Sequence, residues 1–153
     1  MKIVDILSEE AVLPELEGTT KEAVLRELAN HLATAHPEID ANQLVEVLWE
    51  RERLGSTAIG DGIAIPHGKL VGLRSVVAGF GRHRSGVDFQ SLDGNPTKIF
   101  FLLVAPEDSV GQHLKALARV SRLLKDTTFR ERLLAAEGRA EVFAAIRDED
   151  DKY

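Results

Sequence analysis

Apolar residues recur at helical spacing in the first third of the chain. Val24, Leu25, Leu28 and Leu32 share one face of a segment from Lys21 to Ala35, which Thr19 or Thr20 can cap and Pro37 stops. A second helix is predicted from Ala41 to Leu54, with Asp40 as N-cap, Gly55 just past the end, and Leu44, Val45, Leu48 and Trp49 as its core face. The period then changes. Ile63 to Ile65, Leu73 to Arg82, Val87 to Gln90 and Ile99 to Ala105 are short β-type runs separated by Gly, Ser, Asn and Pro. The run from Ile99 is apolar throughout, so it is expected at the centre of a sheet, covered on both faces. Ser109 and Gln112 have the form of a capping box, opening a helix through Lys125 with Leu114, Leu117, Ser121 and Leu124 along one side. Helices near Thr128 to Ala136 and Ala140 to Arg147 complete the pattern, and Asp148 to Asp151 reads as a frayed acidic tail. The expected fold is an α/β sandwich, a single domain over residues 1–147 with a central mixed β-sheet flanked by helices on both faces, followed by the tail at 148–153.

Composition narrows the possible partners. The 153 residues carry 19 Lys+Arg against 25 Asp+Glu, a net charge of −6. Affinity for nucleic acid rests on neutralising phosphates with basic side chains, and Arg82-His83-Arg84 is too short a basic stretch to supply it. With no cysteine there is no disulfide framework, thiolate zinc site or cysteine nucleophile. The longest apolar run falls far short of the ~20 residues that span a bilayer, so no membrane insertion is expected. Met1-Lys2-Ile3-Val4-Asp5 meets an acid too early for a signal peptide, and the expected location is the cytoplasm.

The segment from Glu50 to Leu70 carries the chemistry. A helix ends, a glycine-rich loop follows, a short apolar strand passes through the core, and His67 emerges between Pro66 and Gly68. Proline fixes its own φ and holds Ile65 extended, while Gly68 is expected to let another molecule approach the ring closely. Two nucleotide motifs fail here. Gly60-Asp61-Gly62 starts a dinucleotide fingerprint, but Ile65 occupies its third glycine position. Gly68-Lys69 resembles the end of a P-loop, yet Ile63 stands at its first glycine and Leu70 replaces Ser/Thr. His31 and His36 are spaced wrongly for a zinc hydrolase, so neither a metal nor a cofactor is expected.

Glu52, Ile59-Gly60 and Ile63-Ala64-Ile65-Pro66-His67-Gly68, at their spacing, resemble the phosphorylation-site signature of the fructose/mannitol-type IIA proteins of the bacterial phosphotransferase system. The likeness covers most of the chain and includes Arg51-Glu52, Ser56-Thr57, the Gly-x-Gly loop and His113. The continuous form from Gly55 to Leu70 is most similar to the nitrogen-regulatory IIA proteins. This resemblance implies a phosphorelay in which a histidine phosphocarrier protein, charged from phosphoenolpyruvate through an upstream enzyme, gives its phosphoryl group to His67 at Nε2. If Nδ1–H donates to a nearby carbonyl, the tautomer is fixed and Nε2 is the nucleophile. His113, in the first turn of its helix, is expected to donate to a phosphoryl oxygen, and Arg51 to steady the same group by charge-assisted hydrogen bonds. Glu52 is expected to hold Ser56 or Thr57, and Asp61 at most to orient a site residue. His31, His36 and His83 form no constellation and are expected to be exposed.

The resemblance implies a carrier whose phosphorylation state is read by regulated proteins, with potassium handling and sensor-kinase signalling among the target classes. A rival is a sugar-specific IIA that passes its phosphoryl group to a IIB transporter component. Another is a binding module that has kept the fold and lost transfer, against which intact His67 and His113 count.

Overall fold

Two single turns of 3-10 helix, Ile3–Asp5 and Glu9–Ala11, lead the computed structural model of residues 1–153 into β1 (Val12–Leu13), α1 (Lys21–Ala35) and α2 (Ala41–Arg53). Then come β2 (Ala58–Gly60), β3 (Ile63–Ala64), β4 (His67–Leu70), β5 (Val77–Val87) and β6 (Thr97–Pro106), followed by α3 (Val110–Leu123), α4 (Thr127–Ala135) and α5 (Arg139–Asp150). The helix starts follow from local chemistry. The Thr20 side chain accepts from Ala23 N–H, and the Asp40 and Asp126 carboxylates cap α2 and α4 in the same way.

The sheet is mixed, as expected. Its order is β1-β5-β6-β3-β2, and β4 also pairs with β6. β6 runs antiparallel to β5 and parallel to β3 and β4. From Ile99 to Ala105 no residue is more than 1% exposed, because helices cover both faces of the sheet there. α1 lies so close over β5 that a Cβ on Gly81 would come within 2.6 Å of Leu28, so glycine is what permits the approach. Val24, Leu25, Leu28 and Leu32 are buried beneath that helix as predicted. No helix is long and apolar enough to cross a membrane.

Several local expectations are corrected. His67–Leu70 is itself a strand: β3 and β4 lie on the same edge of β6, and the Ile65-Pro66 step interrupts them because proline has no N–H for the ladder. Val87 ends the long β5 rather than opening a strand of its own. The Ser109 capping box does not form, since Ser109 lies outside the extended backbone region that a cap requires, and α3 closes instead through His113 N–H to Ser109 O at 3.0 Å. The buried face of α3 is His113, Ala116, Val120 and Leu123, one position away from the predicted stripe, of which Leu124 is buried and Leu117 packs against the core while Leu114 is 61% exposed. The three histidines expected at the surface are not exposed either. His83 is buried, its Nε2 bound to Gly18 O at 2.9 Å while Gly86 N–H donates to its Nδ1. His31 and His36 are half-buried. Arg82 is fully buried and donates to the carbonyls of Pro14, Leu133 and Ala136, so its charge sits at the negative C-terminal end of α4.

The acidic tail is a further correction. Residues 148–150 belong to α5, and Asp150 has no exposed surface. Its carboxylate accepts from Arg119 Nη2 at 2.7 Å, Arg119 Nε at 3.0 Å and Val4 N–H at 3.1 Å, which ties both termini to α3. Glu149 is also buried, and burial holds its carboxyl above the usual carboxylate range beside Asp126 and Lys152. Acidic residues at a helix C-terminus oppose the helix dipole, and here the paired cations offset that penalty. Asp150→Ala, which removes the carboxylate bound to Arg119 and leaves its guanidinium on the carbonyls of Asp150 and Tyr153, is expected to cost about 3–5 kcal/mol in urea denaturation. Asp148→Ala breaks only the half-exposed pair with Arg132 and is expected to cost about 1 kcal/mol or less. An Asp150→Ala loss no larger than that of Asp148→Ala would make the segment dispensable after all.

Candidate functional site

At the end of α2 and along β4 the chain encloses an open cleft of about 400 Å³, lined by Val47, Glu50, Arg51, Leu54, His67, Gly68, Lys69 and His113. Three expected residues, His67, His113 and Arg51, thus meet in one place. His67 is set by β4, whose pairing with β6 begins at His67 opposite Leu103. Pro66 O accepts from Leu103 N–H at 3.0 Å, so the step before the histidine is anchored as well. Gly68 proves necessary for an internal reason. A Cβ there would collide with Val47 Cγ1, so the glycine lets α2 pack against β4 while it also lines the cleft beside His67.

The imidazole of His67 is half-buried, and its Nδ1 lies 2.7 Å from Ile65 O. A carbonyl only accepts, so Nδ1 carries the proton and Nε2 keeps its lone pair. Burial is the main cause that lowers the His67 pKa below the usual imidazole value. The bond to Ile65 opposes it, the Arg51 charge adds to it, and Glu52 opposes it weakly. His113, on the first turn of α3, meets His67 edge to face, with ring centroids 5.5 Å apart at 78°. Its pKa is also lowered, first by burial and then by the charges of His67 and Lys69. Two neutral rings therefore share the cleft at physiological pH. The Nε2 atom of His113 is buried and has no hydrogen-bond partner, a condition that costs about 1–3 kcal/mol until a partner arrives.

Arg51 is half-buried on the wall of the cleft, where its Nη1 donates to Gly55 O at 2.9 Å. It pairs with neither Glu50 nor Glu52: Glu50 takes Arg53 and Glu52 takes Lys21. Its guanidinium is left with further donors beside His67. Glu52 holds Thr57 as expected, accepting from its N–H at 3.0 Å and from its hydroxyl. Ser56 turns to Phe89 O instead. Asp61 is not at the site. It sits at φ 57 in the β2–β3 turn, its N–H bound to the Asp93 carboxylate, so it shapes a hairpin and orients no cleft residue. The sequence reading missed Lys69, which adds a second cation to the cleft, and missed the apolar wall of Val47 and Leu54. The alternation of β4 could have revealed Lys69, had His67–Leu70 been read as a strand. No group of His, Asp or Glu side chains is arranged to hold a metal ion.

An unprotonated ring nitrogen on His67, a buried ring nitrogen of His113 without a partner and two cations suit a tetrahedral anion passing through. Residues 5–149 match the family model described as "Phosphoenolpyruvate-dependent sugar phosphotransferase system, EIIA 2". The chain is similar to a nitrogen regulatory protein of Bradyrhizobium diazoefficiens, with 41% identity over 146 residues and 95% of each chain covered. It is also 37% identical over 150 residues to a fructose-specific EIIABC component of Bacillus subtilis, covering 98% of this chain but only 24% of that one. Among solved structures, the nitrogen regulatory protein IIA-Ntr of Neisseria meningitidis superposes with a TM-score of 0.86 at 31% identity, over 94% of this chain and 98% of the other. On this agreement of family model, relatives and fold, the chain belongs to the EIIA 2 family of the phosphoenolpyruvate-dependent sugar phosphotransferase system.

Proposed function

We propose that this protein is the phosphohistidine carrier of a nitrogen-related phosphotransferase branch, accepting a phosphoryl group on Nε2 of His67. The observation that carries the reading is the His67 Nδ1–H bond to Ile65 O, which leaves Nε2 as the free nucleophile beside the unpartnered Nε2 of His113. The donor is a histidine phosphocarrier protein acting in the cytoplasm. As the P–N bond of the donor breaks, a P–Nε2 bond forms on His67 and the donor nitrogen recovers its electron pair. The Nδ1 proton stays on His67, against Ile65 O. Transfer through a loose transition state needs alignment and charge compensation more than covalent help. His113, as a neutral ring with its proton on Nε2, donates to a phosphoryl oxygen. Arg51 and Lys69 compensate the charge.

The nitrogen regulatory protein of Bradyrhizobium diazoefficiens and the IIA-Ntr structure are each matched over nearly their full length, which favours a regulator read by target proteins. Potassium transport and sensor-kinase signalling are the target classes the family suggests. A second reading, a sugar IIA that discharges onto a IIB component, draws on the likeness to the fructose-specific protein. Discharge of the charged protein onto a IIB cysteine or histidine would select it.

Incubation with phosphoenolpyruvate, the upstream enzyme and the carrier is expected to add one phosphoryl group, labile in acid and stable in base, and His67→Ala is expected to abolish it. Mass spectrometry that finds a singly phosphorylated His67→Ala protein overturns the acceptor assignment. His113→Ala is expected to fold and to slow transfer by ~10²-fold, the scale of a lost transition-state donor. An unchanged rate removes His113 from the chemistry.

Acceptance also has a signed pH dependence. Because the His67 pKa is lowered, the neutral nucleophile persists below pH 6.5, where an ordinary imidazole is already half protonated. The midpoint of acceptance against pH is therefore expected below 6.5. A midpoint at or above 6.5 in single-turnover assays contradicts this.

A further inference from the structure

A buried ion pair outside the lining of the cleft remains unexplained by the transfer chemistry. Lys21, the first residue of α1, is 8% exposed, and its ammonium lies 2.8 Å from Glu52 Oε1. It also donates to Gln90 Oε1 at 3.0 Å and sits 4.8 Å from the centroid of the Phe89 ring. Glu52 is buried on α2 and does not line the cleft. Desolvating two charges roughly cancels their attraction, so stability alone gives weak grounds for such a pair; what it supplies is fixed geometry.

That geometry can be followed bond by bond. The Glu52 carboxylate, held by Lys21, receives both the N–H and the hydroxyl of Thr57. Thr57 O accepts from Ile65 N–H at 3.1 Å. Ile65 O in turn accepts from His67 Nδ1. Pro66, on the other side of that carbonyl, has no N–H and a locked φ, so the backbone around Ile65 O is held by Ile65 N–H on Thr57 O before it and by Leu103 N–H on Pro66 O after it. We propose that Lys21 and Glu52 are positioning residues for phosphoryl transfer, acting through Thr57 and Ile65 to hold the proton of His67 on Nδ1. When the Ile65 carbonyl shifts out of reach, the proton is free to occupy Nε2, the nitrogen that must attack. Both residues are buried, so they touch neither a docking partner nor the phosphoryl group.

The proposal rests on His67 as the acceptor, and its first readout is independent of transfer. ¹⁵N spectra of unphosphorylated protein above pH 7.5 report which ring nitrogen carries the proton. Lys21→Met is expected to shift His67 from the Nδ1–H form toward a mixture. It is also expected to lower the maximal rate of acceptance about 10- to 100-fold, the scale for losing an outer partner of a functional histidine, while the half-saturating carrier concentration stays unchanged. Lys21→Arg keeps the charge and is expected to restore both readouts. Thr57→Val, which removes only the hydroxyl bond, is expected to move both in the same direction by less, and it carries the test should Lys21→Met fail to fold. A folded variant that keeps the parental ring tautomer overturns the relay, whatever the acceptor proves to be. A tautomer shift without a fall in rate overturns the positioning role.

Discussion

The constraint on which the rest depends is the burial of β6 on both faces. Every backbone group of a strand so enclosed must find its partner within the sheet, because no water is available to it. β6 meets this demand with β5 on one side and with β3 and β4 end to end on the other. The two short strands on that edge cannot form a single ladder, since proline supplies no N–H between them. The kink at Ile65-Pro66 is where the ladder is interrupted, and it is also where a carbonyl turns to meet the ring of His67. The geometry at His67 is thus a by-product of how a buried strand completes its hydrogen bonding.

Electrostatics in the cleft follow from the same enclosure. Burial disfavours the imidazolium forms of His67 and His113, and the nearby cations push in the same direction. The cleft holds positive charge from Arg51 and Lys69, within a chain whose net charge is −6. Such a local reversal of sign favours an approaching anion without making the whole surface basic. Two charged rings 5.5 Å apart would repel each other, which two neutral rings do not.

The long helices and the central strand were legible because each carries a complete periodic signal and clear stops. The motif around His67 was legible because its spacing is distinctive, and Arg51 and His113 meet it in space as expected. What escaped the sequence lay in tertiary packing. The face of α3 was displaced by one position because an imidazole, counted as polar, takes a core position where Leu114 was expected. β4 was hidden by its short length and its Gly and Lys. Asp150 resembled part of a solvated acidic run until Arg119 and Val4, distant in sequence, were seen to enclose it. Likewise, nothing in local pattern announced that Lys21 would reach Glu52.

The parallel pairing of β4 with β6 also dictates when the site can exist. β2 and β3 are antiparallel neighbours joined by a tight turn and can pair as soon as both are made. β4 has no partner until β6 has been synthesised and has found its place against β5, and the ring of His113 arrives later still, with α3. Parallel, non-local pairings of this kind close late because the intervening chain must first be ordered. A nascent or partly unfolded chain therefore carries His67 in its sequence without the register that seats it. Competence at this histidine is a property of the finished molecule, and its loss would be an early sign that β6 has left the sheet.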